Sequence, residues 1–115
     1  METIIYHNTM CSKSREGLCI LEEIQEDVII REYLKEPLSY EEIDELLKLL
    51  NVKPLAIIRQ KEDIFKEKFE GKKRTRQQWI KAMVKYPELI ERPIVVRNGK
   101  ATVGRPPELI LELFK

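Results

Sequence analysis

Hydrophobic and polar positions change period several times along the chain, and each change predicts an element. Thr3–Tyr6 and Val28–Glu32 are short apolar runs that read as strands. Between them Gly17–Ile24 carries the helical period, predicting a helix that ends near Gln25 with Ser12 or Ser14 as its cap. Strand, helix, strand in about thirty residues is a βαβ unit, whose strands should be parallel and joined by a right-handed crossover. Ser39-Tyr40-Glu41-Glu42 forms a capping box ahead of Ile43, Leu46, Leu47 and Leu50, spaced i, i+3, i+4, i+7. Pro54–Gln60 predicts a short helical piece and Glu62–Phe69 another. Thr75 and Gln78 cap a further helix with Trp79, Ala82, Met83 and Tyr86 on one face, a core stripe. Ile94–Arg97, Asn98-Gly99 and Lys100–Val103 predict a hairpin around a type I′ turn. Pro106-Pro107 then opens a last helix, Glu108–Phe114, with Leu109, Ile110, Leu113 and Phe114 apolar.

The order is therefore βαβ, a helical insert at roughly 39–90, then ββα. That predicts one α/β domain over residues 1–115, thioredoxin-like, with a mixed four-stranded sheet flanked by helices. The chain has 115 residues, enough for a real core, and 43% of them are hydrophobic, as in a globular protein. A net charge of +1 gives no overall electrostatic case for nucleic acid or an acidic membrane surface. The basic loop Gly71–Arg76 reads as a solvated linker rather than a nucleic-acid contact. No apolar run is long enough to span a membrane, and the N-terminal residues lack the basic-then-apolar order of a signal peptide, so a cytoplasmic protein is expected.

The chemistry concentrates in Tyr6-His7-Asn8-Thr9-Met10-Cys11-Ser12-Lys13-Ser14-Arg15. Cys11 falls between a strand and a helix, where unpaired N–H groups and the helix dipole favour an anion. His7, Lys13 and Arg15 lie within four residues of it. A free cysteine titrates near ~8.5, and such surroundings lower it into the range ~3.5–7.5, so Cys11 is a candidate nucleophile. The only other cysteine, Cys19, would be ~12 Å away along a shared helix, too far for a disulfide. Position 14 is Ser, so there is no Cys-x-x-Cys, and a resolving thiol has to come from another molecule. Cys19 is expected to pack in the core. One His and two Cys at no ligand spacing predict no metal site.

Arg92 precedes Pro93 at a strand entry, Arg105 precedes Pro106 at a helix entry, and Arg59 ends a short apolar helix. Guanidinium forks clamp tetrahedral oxyanions, so the three are candidate ligands for such a substrate.

Together these pieces resemble the glutaredoxin-dependent arsenate reductase family. The matching residues are Tyr6-His7-Asn8-x-x-Cys11-x-x-Ser14-Arg15, Leu55-x-x-x-Arg59, Arg92-Pro93-Ile94-Val95-Val96 and Arg105-Pro106-x-Glu108, in order through nearly the whole chain. The resemblance implies a thioredoxin-like fold with Pro93 in the cis form and Cys11 as the nucleophile. It implies His7 as the residue that helps keep Cys11 ionised, and Ser14 and Arg15 as the loop beside it. Arg59, Arg92 and Arg105 would hold arsenate and its adducts. No bound cofactor is implied; glutathione is the implied co-substrate and glutaredoxin the implied partner. Thr9 stands where the family often has Pro, and Lys13 is an additional cation. Two other readings share the fold. One is an Spx-type regulator that binds RNA polymerase, disfavoured by Cys-x-x-Ser in place of Cys-x-x-Cys. The other is a glutathione-dependent thiol oxidoreductase without arsenate activity.

Overall fold

The computed structural model describes residues 2–115, and contacts group the chain into two compact units, Met1–Glu36 with Arg92–Lys115, and Pro37–Glu91.

The first unit is built on a mixed four-stranded sheet. β1 (Thr3–His7) leads into α1 (Ser12–Glu23) and then β2 (Val28–Glu32), and β2 pairs parallel to β1 from Thr3↔Val28 to His7↔Glu32. β3 (Ile94–Arg97) returns antiparallel to β1, with Tyr6 opposite Ile94 and Thr3 opposite Arg97. β4 (Lys100–Val103) adds the far edge, giving the order β2-β1-β3-β4. Asn98 and Gly99 both take positive φ, 52° and 75°, as a type I′ hairpin turn requires. This is the thioredoxin-like layout expected from the pattern.

One face of the sheet carries the core of this unit: Ile5 of β1, Val95 of β3, Leu21 of α1, and Ile110 and Leu113 near the C-terminus. Two glycines let the layers close. A Cβ at Gly17 would lie 2.9 Å from both Ile110 Cδ1 and Pro93 Cγ, and one at Gly104 would lie 2.9 Å and 3.0 Å from the same atoms. Pro93 and Ile110 thus sit against two positions where no side chain fits. At the end of β1 away from Cys11, Glu26 accepts from Thr3 Oγ1 and from Arg97 Nε, and its carboxyl is held below the usual range by Thr3 and then by Arg97. The Arg97 guanidinium also lies 4.3 Å above the Phe114 ring.

Three local readings are corrected. Neither Ser12 nor Ser14 caps α1: Cys11 is itself the N-cap residue, without a side-chain cap. Ser14 is inside the first turn and fully buried, on the same stripe as Gly17 and Leu21. Cys19 is exposed rather than packed in the core, because that stripe leaves position 19 on the opposite face. The last element, Pro107–Phe114, is a 3₁₀ helix and not an α-helix. Its three-residue repeat turns Pro107, Ile110 and Leu113 inward and leaves Leu109 exposed.

The second unit is helical. α2 (Tyr40–Leu50) begins at a complete Ser39–Glu42 capping box, and α4 (Arg76–Lys85) at a complete Thr75–Gln78 box; α3 (Asp63–Lys68) lies between them. Each such cap is worth about 1 kcal/mol. Ile43, Leu46 and Leu47 of α2 and Trp79, Ile80, Ala82 and Met83 of α4 are buried, whereas Leu50 and Tyr86 are half-buried. Phe65 stacks on Trp79 at 6.1 Å and Phe69 meets it at 5.9 Å. Asp44 pairs with Arg76 across α2 and α4, and the Arg76 bond followed by Lys48 lowers its carboxyl pKa. The piece expected over Pro54–Gln60 is a 3₁₀ turn, Pro54–Ile57, ended by a bridge of Ile58 to Ile90.

Candidate active site

The loop between β1 and α1 is fixed by its own polar groups. Asn8 Oδ1 accepts from the Met10 amide at 3.0 Å, and Asn8 O accepts from the Cys11 amide at 3.1 Å. This Asx turn is possible because a short amide side chain can mimic the backbone. Ser14 Oγ reaches back from α1, accepting from the Asn8 amide at 3.0 Å and meeting His7 Nδ1 at 2.7 Å. The three side chains, all buried, tie the end of β1 to the first turn of α1 and so fix where Cys11 stands.

Cys11 Sγ lies at the start of α1, half-buried. Burial pushes its thiol pKa up. A hydrogen bond from Arg92, the Ser14 amide, the Arg92 charge and the Lys13 amide together outweigh burial and bring the pKa below its ordinary value. Arg105 Nη2 stands 3.6 Å from the same sulfur, and Arg105 Nε donates to the Arg92 carbonyl at 2.8 Å. Both arginines precede cis peptide bonds, Arg92–Pro93 and Arg105–Pro106. The second of these had no counterpart in the sequence reading beyond the repeated Arg-Pro dipeptide.

Burial lowers the His7 pKa, opposed by Glu32 and assisted by Arg15, which favours the neutral ring. Its ring meets the Ser14 hydroxyl, and the Ser14 amide in turn bonds the sulfur. Arg15 folds back to donate to Thr9 O at 3.0 Å. Arg59 is held within its own unit by two carboxylates, Glu62 at 3.1 Å and Glu91 at 3.0 Å. The structure thus gathers Cys11, Ser14, Arg92 and Arg105, with His7 one step behind. Asn8, which organises the turn, was absent from the sequence-derived set; its signal was a turn-forming Asn three residues before the thiol.

A groove of about 650 Å³ runs along α1, lined by Lys13, Arg15 and Cys19 together with the carboxylates of Glu16, Glu23 and Glu108. Among the described residues no group of three or more His, Cys, Asp or Glu is placed to hold a metal ion, and no helix is long and apolar enough to cross a membrane.

A sequence model of the ArsC family matches residues 6–113. The chain is 45% identical over 113 residues to the uncharacterised protein YfgD of Escherichia coli, covering 95% of this chain and 93% of that one. It is 38% identical over 116 residues to an arsenate reductase of Haemophilus influenzae, covering 99% and 100% of the two chains. The solved structure of an arsenate reductase from Vibrio cholerae matches with a TM-score of 0.95 and 43% identity, over 98% of each chain.

Proposed function

The chain belongs to the ArsC family, and we propose that it is an arsenate reductase working through the Cys11 thiolate, with glutathione as co-substrate and glutaredoxin as the final reductant. The observation that carries this reading is the convergence of two arginines on one thiol: Arg105 Nη2 at 3.6 Å from Sγ, and Arg92 in a hydrogen bond that lowers its pKa. A site that stabilises a thiolate with guanidinium forks and helix N–H groups also suits the oxygens of a tetrahedral oxyanion.

Cys11 Sγ attacks arsenic and forms a sulfur–arsenic bond, while one arsenate oxygen, protonated, leaves as water. A glutathione thiol then adds to arsenic with loss of a second water. Glutaredoxin's thiolate attacks the glutathione sulfur; the sulfur–arsenic bond breaks and its electron pair stays on arsenic, which passes from As(V) to As(III). A glutathione–glutaredoxin mixed disulfide departs. Hydrolysis of the remaining Cys11–arsenic bond frees arsenite and restores the thiol. The position of Cys19, on the exposed face of α1 and eight residues or ~12 Å along the helix from Cys11, supports an external thiol as the resolving group. A cytoplasmic setting, where thiols stay reduced, fits this cycle.

The test is arsenate-dependent NADPH consumption coupled through glutathione, glutathione reductase and glutaredoxin, with wild type beside Cys11→Ser. Turnover by wild type and none by the variant is expected. An inactive wild type whose Cys11 is nonetheless alkylated readily at neutral pH would move the protein to thiol transfer on another substrate.

A further inference from the structure

The helical unit gathers positive charge in a way the catalytic reading does not use. Residues 66–85 hold eight Lys and Arg but only two carboxylates, Glu67 and Glu70, in a chain whose net charge is +1, so the remainder is net acidic. Five of those cations, Lys68, Lys72, Arg74, Lys81 and Lys85, line one groove of about 510 Å³, and the lining contains one carboxylate, Glu67.

Several other cations are matched: Arg59 to Glu62 and Glu91, Arg76 and Lys48 to Asp44, Arg97 to Glu26. Among the described residues none of Lys68, Lys72, Arg74, Lys81 and Lys85 is in an ion pair. Arg74 lies 4.9 Å above the Phe69 ring, with its Nε buried and without a hydrogen-bond acceptor, and Lys85 lies 5.5 Å from the Tyr86 ring. Crowded like charges repel, and a buried donor without an acceptor is costly. An anionic ligand relieves the repulsion.

We propose that this groove docks an acidic segment of a partner protein, carboxylates on its cationic rims and apolar side chains on its floor. Two observations favour a peptide over a polynucleotide. The rings that would stack bases already carry Arg74 and Lys85. The net acidic remainder of the chain repels a long polyanion but not a short acidic segment.

The test is fluorescence anisotropy with the fluorescein-labelled peptide Glu-Leu-Glu-Glu-Leu-Glu, against the full chain at low salt. Saturable binding is expected, weakened about tenfold or more when ionic strength rises to about 0.3 M, where screening is strong. Lys72→Glu with Lys81→Glu should weaken it at least tenfold, while Lys61→Glu with Lys100→Glu should leave it within about twofold. On the wild-type protein, peptide should shift backbone amide resonances within residues 67–86, which keeps the test independent of variant folding. Absence of saturable binding, equal losses in the two double variants, or amide shifts confined to other residues would overturn the proposal. So would tighter binding of a ten-residue oligothymidylate or of inorganic phosphate, which would make the occupant a polynucleotide or a small anion.

Discussion

Arg105 donates through Nε to the carbonyl of Arg92 at 2.8 Å, so one guanidinium that faces the thiol also braces the backbone of the other. The two residues act as a pair because the hairpin returns the chain: Gly104 N bonds Pro93 O at 2.8 Å, one residue inward from each arginine. Neither arginine can shift without disturbing its neighbour's approach to Cys11.

Arg105→Lys keeps the charge but cannot brace Arg92 and contact sulfur through one planar fork. Loss of an oxyanion donor at an active site costs about 10²–10³ in turnover, and a fall of about 10² in arsenate reduction is expected. The cause can be read separately from the pH dependence of alkylation in a Cys19→Ser background. Wild-type Cys11, with its lowered pKa, should react at lower pH than an ordinary thiol, and Arg105→Lys, by removing the guanidinium contact to the sulfur and the brace on Arg92, should move that profile upward. An unmoved profile with full activity would remove Arg105 from the site.

Ser14→Ala deprives two buried groups, the Asn8 amide and His7 Nδ1, of their shared partner. Unsatisfied buried polar groups cost about 1–3 kcal/mol each, so the urea midpoint should fall clearly. His7 adds a pH signature. Its folded pKa is depressed, so the unfolded chain binds a proton more readily and wild-type stability declines as pH falls from about 6.5 towards the folded value. His7→Gln should flatten stability over that window, and an unchanged slope would show that His7 is not the titrating group.

Gly17→Ala sets two effects against each other. Alanine in a helix interior is favoured over glycine by about 1 kcal/mol. The new methyl, however, would meet Ile110 Cδ1 and the Pro93 ring at 2.9 Å, and overpacking costs about 1–3 kcal/mol. The ring has little freedom to yield, so net destabilisation in urea unfolding is expected, partly restored by Ile110→Val, which removes the clashing methyl. A more stable Gly17→Ala would show that the layers are looser than these distances indicate.

What could be read from the sequence was what is set locally. Both capping boxes, the Asn98-Gly99 hairpin and the parallel βαβ pairing need only short-range patterns, and all are present. What failed depended on distant packing. Ser14 has the chemistry of a cap, but β1 brings His7 and Asn8 to it and turns it inward. Cys19 is apolar enough for a core, yet the buried stripe through Ser14, Gly17 and Leu21 faces the other way. Leu109 fits an α-helical stripe and is exposed only because Pro107–Phe114 winds as a 3₁₀ helix. The meeting of Arg105 with Cys11, ninety-four residues apart, was suggested by Arg-Pro punctuation, but its geometry follows from the return of the hairpin.

The register of β1 with β3 puts Tyr6 opposite Ile94 and Thr3 opposite Arg97, so the Asn98-Gly99 turn and the Cys11 loop lie at opposite ends of the sheet. A Cβ built on Gly99 meets nothing within 4 Å. At about 3.3 Å per residue, the length of β1 separates turn and thiol by about 15 Å. A tether inserted at that turn would therefore fix the protein to a support with its reactive sulfur facing outward, leaving both cysteines untouched by the coupling chemistry.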